Sequence, residues 1–113
     1  MPPPDDVRLR HLVEAARKAI AFTEGRSRDD LKNDELLRLG VTKLVEIVGE
    51  AAKLISDETR QRYPEMPWAL AARTRDRLVH HYFDIDLDIL WSTITTDLPA
   101  MLEALNEPGE GGS

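Results

Sequence analysis

The chain is 113 residues long, enough for one domain, and its 42% hydrophobic and 32% charged residues are those of a globular protein rather than a disordered one. It has no cysteine, which excludes disulfides, thiolate zinc sites and cysteine nucleophiles, and no apolar run reaches the ~20 residues of a membrane span. The net charge of −6 argues against a general nucleic-acid binder, but the charge is uneven: residues 60–81 hold five arginines against two acids, a local +3 that leaves −9 for the rest.

The opening Met1-Pro2-Pro3-Pro4-Asp5-Asp6 has neither the basic nor the apolar part of a signal peptide, so a cytoplasmic location is expected. Residues 1–5 and 107–113 read as flexible tails around a single domain over 6–106. The first helix is expected to start at Asp5 or Asp6, either of which can cap it. Leu9, Leu12, Val13, Ala16, Ala19 and Ile20 form its apolar stripe, and Gly25 stops it. The polar run Ser27 to Asn33 reads as a connection with room for a short turn. A second helix follows from about Asp34 to Ile55, striped by Leu37, Val41, Leu44, Val45, Val48, Ala51, Ala52 and Ile55. Leu36, Ile47 and Leu54 widen that stripe, so the helix is expected to be central or to touch a partner chain. Gly49 in its middle costs about 1 kcal/mol relative to Ala and signals close backbone approach.

Ser56 caps a short extra helix ending near Tyr63, before Pro64. Pro67 suits the first position of the next helix, predicted to run to about Tyr82. Asp84, Asp86 and Asp88 mimic a metal cluster, but capping of the last helix explains them better, and no metal site is assigned. The last helix reaches about Leu105, with a kink expected at Pro99. The fold class is therefore all-α: a bundle of four main helices plus a short one.

Chemistry concentrates in Arg73-Thr74-Arg75-Asp76-Arg77-Leu78-Val79-His80-His81-Tyr82. Arginine holds phosphate with a planar fork and stays charged, while histidine exchanges protons near neutral pH. Together they suit phosphodiester cleavage without a metal, with a base for the ribose 2′-OH and a cation for the charge that develops on phosphorus. On a continuous helix Arg75 and His80 would lie about 140° apart, so one protomer would make a poor site. Asp76 would meet His80 one turn on and orient it. A two-fold dimer with this helix beside its own copy would gather two arginines and two histidines into a composite cleft.

The pattern Arg75-x4-His80-x-Tyr82 resembles the signature of HEPN-domain proteins, specifically the HepT-like toxins. Glu46-Ile47-Val48-Gly49-Glu50-Ala51-Ala52 is similar to the family's IIGEA helix, and Tyr63-Pro64-Glu65-Met66-Pro67-Trp68 to its YPxIPW segment. His80-His81-Tyr82-Phe83-Asp84-Ile85-Asp86 resembles its HxYFxID stretch, and Trp91 falls on its Val-Trp. The resemblance implies a dimeric HEPN bundle and a metal-independent endoribonuclease without cofactor. It implies the toxin of a type VII toxin–antitoxin pair, neutralised by an MntA-like nucleotidyltransferase antitoxin that adds AMP to Tyr82. Carried over by position, Arg75 and His80 are catalytic, Asp76 supports them, and Arg73, Arg77 and His81 are candidates to bind RNA. Asp76 stands where close relatives most often have Asn. The alternative reading is a non-catalytic dimer that binds RNA or a nucleotidyltransferase partner, which the acidic balance favours slightly.

Overall fold

In the computed structural model residues 4–81 and 84–105 are described, with 79–81 and 84 by their backbone alone. Helix α1 is Asp5–Thr23, α2 Arg28–Asn33, α3 Glu35–Leu54, α4 Asp57–Arg62 and α5 Trp68–Leu78. Two short strands follow, β1 (Val79–His81) and β2 (Asp84–Ile85). The last helix, α6, spans 87–105 as Leu87–Ser92, a π turn Thr93–Asp97, and Leu98–Leu105. The protein is thus an all-α bundle whose four long helices are α1, α3, α5 and α6. A second short helix, α2, occupies the connection after Gly25, and the small β1–β2 ribbon is the one strand pairing among the described residues.

The helix ends follow their sequence signals. Gly25 takes φ +75°, the left-handed conformation that lets the chain leave α1. Ser27 and Asp30 form a capping box at α2, with each side chain accepting from the other's backbone N–H. Asp34 accepts from the Leu37 N–H at 3.1 Å to cap α3, and Asp86 accepts from Ile89 at 3.0 Å to cap α6. Asp5 departs from its expected role. Pro4 occupies the cap position of α1 with no side-chain bond, and the Asp5 carboxylate reaches across to α4 instead. It accepts from the Ser56 N–H and hydroxyl and, at 2.6 Å, from the Thr59 hydroxyl. The Ser56 hydroxyl, more than any other group, holds Asp5 below the ordinary carboxylate range.

α3 runs through the centre, antiparallel to α1, whose Arg8 binds the Leu54 carbonyl at the far end. Leu12, Ala16 and Ala19 of α1 are fully buried, as are Val41, Val45, Val48 and Ala52 of α3. Leu78, Leu90, Ile94, Leu98 and Met101 complete the core from α5 and α6. Ala15, Ala16 and Ala19 make the buried face of α1 largely one of small side chains. Just before Pro99, where a kink is expected, the last helix contains a π turn. There the Leu98 N–H bonds the Thr93 carbonyl five residues back, which widens the helix just before the residue that has no N–H to give. Among the described residues, no helix is long and apolar enough to cross a membrane.

Candidate active site

The basic segment separates into tied and untied arginines. Arg60 donates to the Ala52 carbonyl at 2.9 Å and lies 6.0 Å from the centre of the Trp68 ring. Trp68 is buried and its indole N–H bonds the Tyr63 carbonyl at 3.1 Å, so Arg60 and Trp68 seat the start of α5. Arg62 donates to the Thr59 hydroxyl at 3.3 Å. Arg77 lies 3.8 Å from Asp97 of the π turn, and its Nη1 is buried without a hydrogen bond among the described residues. That attachment to α6 weakens the case for Arg77 as an RNA contact. Arg73 and Arg75 are exposed on α5 and have no hydrogen-bond or ion-pair partner among the described residues. Two untied arginines on one helix are free to bind an anion.

α3 sets the position of Arg75. Gly49 faces α5 so closely that a Cβ there would sit 3.3 Å from the Ala71 carbonyl oxygen and 3.7 Å from the Arg75 backbone nitrogen. The close approach expected at Gly49 therefore occurs at the helix that carries the site. Asp76 is exposed beside Arg75.

α5 was expected to continue to Tyr82, and it does not. It ends at Leu78, whose carbonyl accepts the Asp86 N–H at 2.9 Å. His80 and His81 therefore lie on β1, and the helical geometry predicted for Arg75, Asp76 and His80 does not hold. Asp76 and His80 are not one helical turn apart. The physical reason is local. Val79 and Ile85 are β-branched residues that favour extended chain, and here they pair across the antiparallel ribbon. The next pair is His81 with Asp84. Two steps on β1 thus match one on β2, which places a β-bulge at His80. Bulges are frequent next to active sites because they re-aim one side chain within an otherwise regular ladder. Tyr82 lies outside the described residues.

The three aspartates of the ribbon do not form a metal site among the described residues. Asp86 caps α6 and Asp88 pairs with Arg28 of α2. The capping expected of them holds for Asp86. The Arg77–Asp97 pair escaped sequence reasoning, because its partners are 20 residues apart and only the π turn brings them together.

α5 thus presents two untied arginines just ahead of a histidine on β1. Comparison with known proteins gives the class. The model of the ribonuclease HepT-like family matches residues 12–107, and the chain belongs to this family. It is 33% identical over 107 residues to a Methanocaldococcus jannaschii protein named provisionally as an RNase, covering 93% of this chain and 88% of that one. It is 36% identical over 93 residues to a Thermococcus cleftensis protein named "Probable ribonuclease HepT", covering 82% and 84%. A third relative, from Caldanaerobacter subterraneus and also named provisionally as an RNase, is 31% identical over 99 residues, covering 88% of each chain. No solved structure matches the chain at a significant level.

Proposed function

We propose that this protein is a metal-independent endoribonuclease. The observation that carries the reading is Arg75, exposed and untied at the end of α5, five residues before His80 at the bulge of β1. Family membership and the names of the relatives support it. His80 takes the proton of a ribose 2′-OH. The 2′ oxygen bonds the adjacent phosphorus, the bond from phosphorus to the 5′ oxygen breaks, and the same proton goes to the leaving 5′ oxygen. Arg75 stabilises the phosphorane, and Arg73 steers the strand through its phosphates. The products are a 2′,3′-cyclic phosphate and a 5′-OH. Two copies of the chain share one cleft, so that the arginine of one protomer serves the histidine of the other. The resemblance to HepT-like toxins supports a role as the toxin of a type VII pair, with an MntA-like nucleotidyltransferase as antitoxin and Tyr82 as the residue that receives AMP.

The test is incubation of the purified protein with total RNA in EDTA, beside Arg75→Ala and His80→Ala. The wild type is expected to cut, and each variant to lose cleavage while keeping its fold. Cleavage at wild-type rate in both variants refutes the mechanism, and inhibition by EDTA refutes metal independence. The acidic net charge of −6 favours one other reading, a binding module for RNA or for a nucleotidyltransferase. Strand binding without products, by protein whose mass shows no added AMP, would favour it.

A further inference from the structure

The exposed face of α5 has two edges, and its arginines divide between them. Arg75 borders α3, where its backbone nitrogen is 3.7 Å from the Cβ position at Gly49. At about 100° per residue, Arg77 lies about 160° around α5 from Arg75, on the edge that meets α6 at Asp97. Arg73 is one turn before Arg77 and about 40° from it, so the two share this edge with their Cβ atoms about 5–6 Å apart. Arg73 is exposed and has no partner among the described residues. Asp76 is exposed between the two edges, where it repels a phosphate from the middle of the face. Guanidinium groups on opposite edges of a helix about 10–12 Å across serve different phosphates of a strand.

Asp97 holds Arg77 without satisfying it. Their charged groups are 3.8 Å apart, beyond hydrogen-bond reach. Arg77 Nη1 is buried and makes no hydrogen bond among the described residues, yet 39% of the side chain is exposed. A partly exposed pair of this length adds little stability, and a buried donor without an acceptor subtracts from it. Thr93, at the start of the same π turn, also buries a hydroxyl with no partner among the described residues. π turns are frequent at functional sites, and a guanidinium this incompletely used, beside an unpartnered arginine, suits an anion.

We infer that Arg73 and Arg77 form a second phosphate-binding edge on α5, which holds the RNA strand at a phosphate other than the one at Arg75, and that Asp97 tempers its strength; this rests on the ribonuclease reading above. The attachment to Asp97 makes Arg77 a conditional contact rather than a standing one. With no strand present, the carboxylate offsets the charge of Arg77, so an acidic protein shows few open cations to stray polyanions. A strand seated at Arg75 and Arg73 brings a further phosphate to the exposed side of the Arg77 guanidinium. Its planar fork donates there while Nη1 still faces Asp97. The nearby carboxylate limits the affinity of this edge, which lets a cut strand leave.

The experiment is fluorescence anisotropy with a short labelled RNA strand whose riboses are all 2′-O-methylated, so that no 2′-OH is present to attack and binding is read apart from cleavage. Titrations at several salt concentrations compare the wild type with Arg77→Gln, Arg77→Lys, Asp97→Asn and the double variant Arg77→Gln/Asp97→Asn, and circular dichroism checks each fold. Arg77→Gln is expected to weaken binding at least about threefold and to lower the slope of log affinity against log salt by about 0.7, the share of one phosphate on a single strand. Arg77→Lys keeps the charge and is expected to keep the slope. Asp97→Asn is expected to tighten binding at least about threefold, and the double variant to bind within about twofold of Arg77→Gln, because Asp97 acts through Arg77. Arg77→Gln with wild-type affinity and slope overturns the inference, as does Asp97→Asn with unchanged binding. A double variant that keeps the gain of Asp97→Asn overturns it too, since the gain then comes from the carboxylate's own repulsion. Any of these results leaves the ribonuclease reading standing where the wild type cuts ordinary RNA. Binding that responds as expected, in a protein that never cuts ordinary RNA, keeps this edge and defeats the ribonuclease reading instead.

Discussion

Gly49 is where two opposing effects can be weighed in one residue. Replacing it with Ala gains helix propensity in the middle of α3, about 1 kcal/mol. The new Cβ would also sit 3.3 Å from the Ala71 carbonyl oxygen, closer than an ordinary carbon contact of about 3.5–4.0 Å. α5 must retreat by a few tenths of an ångström, and the two effects nearly cancel: Gly49→Ala is expected within about 1 kcal/mol of the wild type in urea unfolding. Gly49→Leu gains the same propensity but drives three more carbons into the α3–α5 contact, where overpacking costs about 1–3 kcal/mol. The displaced element carries Arg75, whose backbone nitrogen is 3.7 Å from the same Cβ position. A displacement near 1 Å at a catalytic group can cost about a hundredfold in rate. Gly49→Leu should therefore remain folded at moderate temperature yet lose RNA cleavage far beyond its loss of stability. A Gly49→Leu protein as stable and as active as the wild type would show that α3 does not set the position of α5.

Other outcomes follow from single contacts. Leu78→Ala opens a cavity at a fully buried residue where α5 meets the ribbon, and should cost about 2–5 kcal/mol in urea unfolding. Asp5 has a depressed pKa, so the stability it contributes is present above the ordinary carboxylate pKa and is lost as pH falls through its lower folded value. Asp5→Ala should accordingly lower the melting temperature at pH 7 and flatten the acid side of the stability–pH curve, with little difference from the wild type at pH 2. Asp97→Asn removes the counter-charge of Arg77, and gel shift should show tighter, more salt-sensitive RNA binding. Mixing Arg75→Ala with His80→Ala should restore about a quarter of wild-type cleavage, since half the dimers are mixed and each then holds one intact site. No recovery on mixing would place Arg75 and His80 of each site in the same protomer.

The helices were legible because their signals are local. Three- and four-residue spacing of Leu, Val and Ala marked α1, α3 and α6, while Ser56, Asp34 and Asp86 marked starts that the structure keeps. The end of α5 was not legible. Leu78 is followed by neither Gly nor Pro, and Val79-His80-His81 does not break a helix by itself. What ends the helix is a partner strand at Asp84–Ile85, and such pairing is a tertiary event. Asp5 illustrates the same limit. Its side chain suits a cap at any helix start, and the start it holds lies 51 residues away. The basic segment was visible as charge, but only packing divides it, with Arg60, Arg62 and Arg77 tied down and Arg73 and Arg75 left open.

That division bears on how an acidic protein handles RNA. The −6 net charge repels a polyanion at long range, so affinity must come from a few cations placed where the strand is held. Tying three of five arginines into the fold leaves the protein little general attraction for nucleic acid. A second copy sharing the proposed cleft would double the untied arginines at one place without adding charge to the rest of the surface. Cleavage should therefore depend more steeply on protein concentration than binding by a lone arginine pair would, and should fall sharply with salt. A cleavage rate per chain that stays the same from nanomolar to micromolar concentration would show that one copy suffices and that cleavage does not need arginines from two copies.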